Sequence, residues 1–594
     1  MRVSAIIVPV EIAVRLVPVA RTLLLVTTIA AASAARAAVF QVGFGGACYA
    51  PDPQYALDAA KANPGPDIIA LTRSAQLTGL ALSIDAHDVT IVGGFNDCAL
   101  SSQGERSVLD GAGGAAAPVL AIAGTANVVL EHVEIRGGDV QAGEFGGGVR
   151  FVGAGRLEVR DSAIEANVAG SGGGIAVVGV GAQTELVLGA DTRVSANRAT
   201  ADPTEGDGGG VLASQAKVTA NAADLVIADN EANGYGGGIR LVGAVATLAS
   251  GGEGDDALLT RNRAGLRGGG LSAVDSSVQM FTRDPMRPTR VAGNRAPAAA
   301  GIESLNGNLA AWDVVVEEST TSPLSGDDVV ATLEVSGTAQ FVRNLAAAGG
   351  APTGAVNCAT TLACNRFEGN RVVLAGDQAA GVAVAFLMGG VDSFLLFEGA
   401  TIRGNTGLAL TSASCFGTGA CTATLLLRAS TVSNNSVVST LFDGLGGGDL
   451  ELDLVTLAHN TGSAVVARAG GSVAVRRSIV WQPGWRLWND ATLRPGETVR
   501  LETSLIGAGH GVVPLPGTVT IADPRFVAPA SRNFRLGDDS PAVDYAAADA
   551  GAPDAALLPR NLDHAATPNL YGPLDLGAYE LDRVFRDGFE SPAP

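Results

Sequence analysis

The chain has 594 residues, with 59 Asp or Glu against 39 Lys or Arg, a formal net charge of −20. Such an acidic chain is a poor partner for nucleic acid or an anionic membrane surface, because phosphate contacts need a basic face. Hydrophobic residues at 47% exclude disorder, and 79 glycines gathered in GG and GGG clusters rather than at every third position exclude collagen.

Residues 1–37 read as an export signal. Arg15 and Arg21 precede an apolar run over 22–32, and small residues then lead to Ala35-Arg36-Ala37, an A-x-A cleavage pattern. The run is too short to span a bilayer, and no later apolar run reaches spanning length, so no transmembrane helix is expected in the mature chain. The removed segment carries Arg2, Arg15, Arg21 and Arg36 against Glu11, which leaves the mature chain near −23. Next, 52–62 predicts a short helix. Asp52 is its N-cap and Pro53 its first residue, placed to close the open end of a stack. The apolar runs 67–71 and 89–92 predict strands.

From residue 164 onward the chain repeats. An element Φ-x-x-N, with Φ apolar, ends at Asn167, Asn197, Asn230, Asn262, Asn294, Asn344, Asn370, Asn405, Asn435 and Asn460, and the first five lie 30, 33, 32 and 32 residues apart. GGG plus an aliphatic residue follows each of the first four copies, at 172–175, 208–211, 236–239 and 268–271. Short Val-, Ile- and Leu-rich runs bounded by Gly, Asn and Asp fill the intervals and predict strands. Helical repeats are disfavoured, since each Gly costs a helix about 1 kcal/mol relative to Ala. The pattern fits an all-β solenoid, a parallel β-helix of short strands paired coil to coil. Asn suits it twice: it tolerates a left-handed turn, and its amide bonds to the Asn one coil away. Asn167, Asn197, Asn230, Asn262 and Asn294 are therefore expected in equivalent buried turns, as a ladder.

Φ-x-x-N followed by GG-x-Φ resembles the repeat of bacterial surface β-helix proteins, including chlamydial polymorphic outer-membrane proteins, over roughly 128–475. That resemblance implies a right-handed, pectate-lyase-like β-helix for 38–475. The phrase Thr90-Ile-Val-Gly-Gly-Phe-Asn-Asp-Cys98 resembles the opening coils of exported bacterial β-helix proteins. Six motifs then keep order: Arg477-Ser-Ile-Val-Trp481, Ser504-Leu-Ile-Gly507, Asp523-Pro-Arg-Phe526, Asn533-Phe-Arg-Leu536, Ser540-Pro-Ala-Val-Asp544 and Leu574-Asp-Leu-Gly-Ala-Tyr-Glu580. This set resembles the choice-of-anchor Q domain, which implies a surface-attachment region over 476–580. In the tail 581–594, Val584-Phe-Arg-Asp-Gly-Phe-Glu590 resembles a short tail on exported proteins of xanthomonad-like bacteria. Together these resemblances imply an exported protein, extracellular or at the outer cell surface of a Gram-negative bacterium.

Six cysteines allow 15 pairings. Matched six-residue spacings favour Cys358 with Cys364 and Cys415 with Cys421, leaving Cys48 with Cys98. A zinc site is the alternative, without nearby His or C-x₂₋₄-C spacing.

Catalytic signals are sparse. Gly509-His510-Gly511 matches a fragment of polygalacturonases, yet the acid pair Asp327-Asp328 is distant and Arg-x-Lys is missing. His87, His132, His459 and His564 stand singly and receive no role. The segment 251–258 fits one calcium nonapeptide, with Asp255 and Asp256 as ligands, but shared calcium turns need several copies. No cofactor and no catalytic residue are expected. The favoured reading is an exported, non-catalytic surface or secreted protein, an adhesin or carbohydrate binder whose partner is an extracellular glycan or a host or cell surface. The alternative is a polysaccharide lyase or glycoside hydrolase. A cleft with three or more converging Asp/Glu and an Arg would favour the enzyme.

Overall fold

The structure, a computed structural model, describes residues 37–581 apart from internal stretches, the longest being 251–257, 322–333, 347–355, 416–422 and 489–498; the side chains of 315–395 are not described either. Nearly every strand pairing is parallel and joins one coil to the next. The coils lay down a 23-stranded, a 16-stranded and a shorter 7-stranded sheet along one chain, a right-handed parallel β-helix. One coil shows the pattern. Val211–Ser214 and Lys217–Asn221 lie in the long first sheet, Val226–Ala228 in the second and Glu231–Ala232 in the third. A glycine turn then leads into Ile239–Val242, one coil up and in register with Val211. A strand–crossover–parallel strand step of this kind is right-handed in nearly all sheets, because twisted strands pack back on themselves only that way. Coils continue through Val519–Ile521, beyond residue 475 and into the region carrying the C-terminal motifs.

The core is a set of columns, each made by one repeat position. Ile164, Val194, Ile227, Leu259 and Val291, the apolar residues of successive Φ-x-x-N elements, are fully buried and stack coil on coil. Three residues on, the asparagines form a second column. Asn167 Nδ2 donates to Asn197 Oδ1 at 3.0 Å, Asn197 to Asn230 at 3.0 Å, Asn230 to Asn262 at 3.0 Å and Asn262 to Asn294 at 3.1 Å. All five are at most 1% exposed. The left-handed residue is not the asparagine itself. It is the residue before it: Ala166, Ala196, Asp229 and Arg261 have φ between 53° and 56°, and Gly293 has 64°. The turn is thus made one position early, and the asparagine is retained for its amide.

Each glycine of the triad has its own reason. The first takes φ of 62° to 71° at Gly146, Gly172, Gly208, Gly236 and Gly268. The second and third lie where coils touch. A Cβ on Gly237 would stand 2.4 Å from the Arg263 backbone. One on Gly238 would stand 2.6 Å from the Gly270 carbonyl and 2.9 Å from Asn262 Nδ2. The triad therefore leaves room for the ladder. We expect Gly238→Ala to cost about 2 kcal/mol through overpacking, read as a lowered denaturation midpoint; an unchanged midpoint would refute the close-approach argument. Gly146-Gly147-Gly148 is a fifth triad, one coil before the four recognised from the sequence, and Gly148 meets Asn167 in the same way.

The helix Pro53–Ala62 closes the first coils. Asp52 caps it, accepting from Gln54 N at 2.8 Å, and Ala56, Leu57 and Ala60 turn inward. Cys48 and Cys98, on either side of the helix in the chain, form a disulfide. The pairings of Cys358 with Cys364 and of Cys415 with Cys421 fall outside the described side chains, as do residues 1–36 and the segment holding Asp255 and Asp256.

Candidate functional site

The second residue of each first-sheet strand forms a column in register: Ala176, Leu212, Arg240, Ser272 and Glu303. Its neighbours on either side, such as Ile239 and Leu241, point into the core, so this column points out. It is nevertheless buried, at most 9% exposed, because the preceding glycine turn folds over it. The residues just before those turns, Asp207, Tyr235 and Arg267, meet the column from outside. Arg240 Nε lies 3.2 Å from Asp207 Oδ2, and its Nη1 lies 4.0 Å from Glu303 Oε2. Its guanidinium stacks 4.7 Å from the Tyr235 ring centre. Arg267 Nη1 stands 3.8 Å from Glu303 Oε1, and the Ser272 hydroxyl donates to Glu303.

Two carboxylates and two guanidinium groups thus share one corner and cancel in charge. Burial raises the Glu303 carboxyl above its usual range, opposed by the Ser272 hydroxyl and both arginines, while Asp207 adds to the rise. Burial likewise raises Asp207, against Arg240 and the Tyr235 amide. The Glu303 side chain is 2% exposed, so a ligand in solvent does not reach it, whereas Asp207 and Arg267 keep 17% and 18%. The arrangement can hold the coil corner in register and offer a small polar spot. No sequence motif marked it, since the column carries a different residue type in every coil.

A second cluster is built on His132 at the corner between the first and second sheets. Its Nδ1 lies 2.6 Å from Asp161 Oδ2 and its Nε2 lies 2.8 Å from the Gly104 carbonyl. Both ring nitrogens face acceptors, which is the geometry of an imidazolium. Burial pulls its pKa down, but the Asp161 and Gly104 bonds outweigh this and the net shift is upward; Asp161 itself is lowered by Arg106 and His132 against its own burial. Arg106 ties the same corner to the next coil through the Asp191 carbonyl at 3.0 Å. Sequence reading gave His132 no role; here it clamps the 96–106 loop onto the stack.

The other sequence-level candidates are not brought together. His510 contributes its backbone carbonyl to Leu487 N at 2.9 Å, and Asp327-Asp328 lies outside the described residues. Among the described residues no group of three or more His, Cys, Asp or Glu is arranged to hold a metal ion. No described helix is long and apolar enough to cross a membrane. At the disulfide-pinned N-terminal end, Phe44, Tyr49 and Tyr55 are 60%, 47% and 61% exposed. Phe40 packs edge-on to Tyr49 at 4.9 Å, and Tyr49 and Tyr55 lie 6.0 Å apart, tilted by 34°.

No protein-family profile and no curated protein matches this sequence. Among solved structures the chain is similar to AlyGC, an alginate lyase of the PL6 family, with 10% identity over 79% of this chain and 80% of that one and a TM-score of 0.24, a likeness too distant to bear on activity.

Proposed function

We propose that the chain is an exported, non-catalytic β-helix that acts by presenting its surface to an extracellular glycan or a cell surface. One observation carries this reading: the acids and arginines that converge at the Glu303 corner are spent on one another, with Glu303 sealed from solvent. A glycan-cleaving site needs an accessible acid or base beside the scissile bond. The exposed tyrosine pair instead offers ring faces of the kind on which sugar rings stack, and the Cys48–Cys98 disulfide suits an oxidising compartment.

The test is a glycan array probed with the chain from Ala38 onward, read for retention and for newly released reducing or unsaturated ends. Retention without release, weakened about tenfold or more by Tyr49→Ala with Tyr55→Ala, is the expected result. Release of sugar ends that disappears in Asp207→Asn or Arg240→Gln would overturn the reading in favour of an enzyme.

A further inference from the structure

The described residues of the motif-bearing segment 540–581 cross the outer face of the second sheet near its end. On that face the outward column mixes polar and apolar residues along the stack; it passes through Thr401 and Thr431 and becomes Thr456, Ile479 and Leu505 here, while their neighbours Leu457, Val480 and Ile506 fill the core. Leu574, Leu576, Val543 and Tyr545 cover the column together with Leu454. Ala578 N donates to Thr456 Oγ1 at 2.9 Å and Gly577 N to the Arg477 carbonyl at 2.9 Å. A Cβ on Gly577 would stand 2.4 Å from Thr456 Oγ1, so the contact is close.

The segment is held in shape by buried carboxylates gripping backbone N–H groups. Asp575 accepts from Asp544 N at 2.7 Å and Leu581 N at 2.6 Å, and Glu580 accepts from Leu562 N at 3.0 Å. Asp554 accepts from Glu580 N at 3.0 Å, and Asp544 from His564 N at 3.1 Å. Asp544, Asp554, Asp575 and Glu580 are between 0% and 2% exposed. The guanidinium set among them is that of Arg560. It gives its Nη atoms to the Gly577 and Ala578 carbonyls at 3.2 and 2.9 Å and stands 3.9 Å from Glu580 Oε2.

The other described charged groups do not restore the balance. Asp563 adds negative charge beside Asp544. Asp453, on the sheet side of Arg560, is paired with Arg477 at 2.5 Å. The His564 ring turns its Nδ1 to the Thr567 hydroxyl at 2.9 Å. Arg535 lies over the Tyr579 ring at 5.7 Å, and Arg403 also faces Tyr579. Among the described residues, four buried carboxylates thus crowd one guanidinium, an excess of negative charge out of water that the closed segment relieves by holding protons, on Asp575 and Glu580 first.

We propose that the segment 540–581 is a proton-operated clasp: protonated, it lies closed over the second sheet, and proton loss loosens it and uncovers the strip of Leu454, Ile479 and Leu505. The sign follows from where the protons sit. Burial pushes Asp575 up to about 7, with Asp544 adding to the rise, and Glu580 up to about 8, with Asp575 adding to it. A freed carboxylate titrates near 4. The closed state therefore keeps its full advantage below about pH 4, loses it progressively above that, and has lost it by about pH 8.

Hydrogen exchange on the full chain, corrected for intrinsic rates, tests this at pH 5 and pH 8.5. Protection of the amides of Asp544, Leu562 and Leu581 is expected to fall at least about tenfold more than that of the Asn197–Asn262 coils, with a parallel rise in binding of an apolar dye. Glu580→Gln keeps the acceptor for Leu562 N and removes one titration, so it should flatten the fall while leaving His564 in place. Equal loss of protection in both regions of the wild-type chain would overturn the clasp whatever the variant does. An undiminished fall in a folded Glu580→Gln protein would do so as well.

Discussion

Asn230→Leu is expected to destabilise the stack by about 3 kcal/mol, the upper end of the range for stranding a buried donor. Asn230 Oδ1 accepts both the backbone N–H and the Nδ2 of Asn197, each at 3.0 Å. Its own Nδ2 donates to the Val194 carbonyl at 2.9 Å and to Asn262 Oδ1 at 3.0 Å. Leucine is close in volume but removes all four bonds. Asn197 Nδ2 keeps the Ile164 carbonyl at 2.9 Å, so the Asn197 amide N–H is the group that loses its side-chain partner outright. Because solenoid coils are coupled mainly to their neighbours, the loss should be local. Hydrogen exchange should report faster opening over 194–262, with the coils around Asn435 unaffected. A loss no larger than about 0.5 kcal/mol, as for a surface change, would mean that the ladder is decorative.

That ladder was legible because stacking turns a three-dimensional contact into a sequence period: residues 30 to 33 apart become neighbours, so like chemistry recurs at like spacing. The cap helix was legible for a local reason, since Asp52 and Pro53 act within one turn of themselves. Columns that vary along the stack leave no such trace. The sequence Ala176, Leu212, Arg240, Ser272, Glu303 has no period of its own, and its burial depends on turns folding over it, so the ion network at Glu303 was not foreseen. Gln482, which receives Asn460 N at 2.8 Å after Asn405, Asn435 and Asn460 have passed the amide chain along, carries on the second ladder with a residue the Φ-x-x-N pattern does not admit. In the motif region, Asp544, Asp554, Asp575 and Glu580 carry no linear mark of burial. The segment that carries them docks through Ala578 N on Thr456 Oγ1 and Gly577 N on the Arg477 carbonyl, a hundred or so residues away in the chain. Long-range closure of that kind has no linear signature.

The second large effect concerns the N-terminal end. Replacing Cys48 and Cys98 with serine opens a loop closed over 50 residues, for which chain entropy predicts a loss of about 4 kcal/mol. The native contacts left behind are modest. The helix Pro53–Ala62 has ten residues, too few to be stable alone, and it holds the first coils through Ala56, Leu57 and Ala60. Lys61 to Asp85 at 3.0 Å is an exposed pair worth little. Buried anchors do remain across this region, notably Thr72 Oγ1 on the Val42 carbonyl at 2.9 Å, so the first strand should persist while the helix and the 43–50 loop loosen. The double variant should therefore show an early, separate unfolding step confined to roughly 38–110, with the Asn167–Asn294 coils melting where they did before. Reductant added to the wild-type chain should reproduce that step. Tyr49 is carried by the loop and Tyr55 by the helix, so their alignment at 6.0 Å should be lost in the same step, and glycan retention should fall with it while the coils stay folded. A single unfolding transition at the wild-type midpoint would show that the cap is held by packing and that the disulfide adds nothing to it.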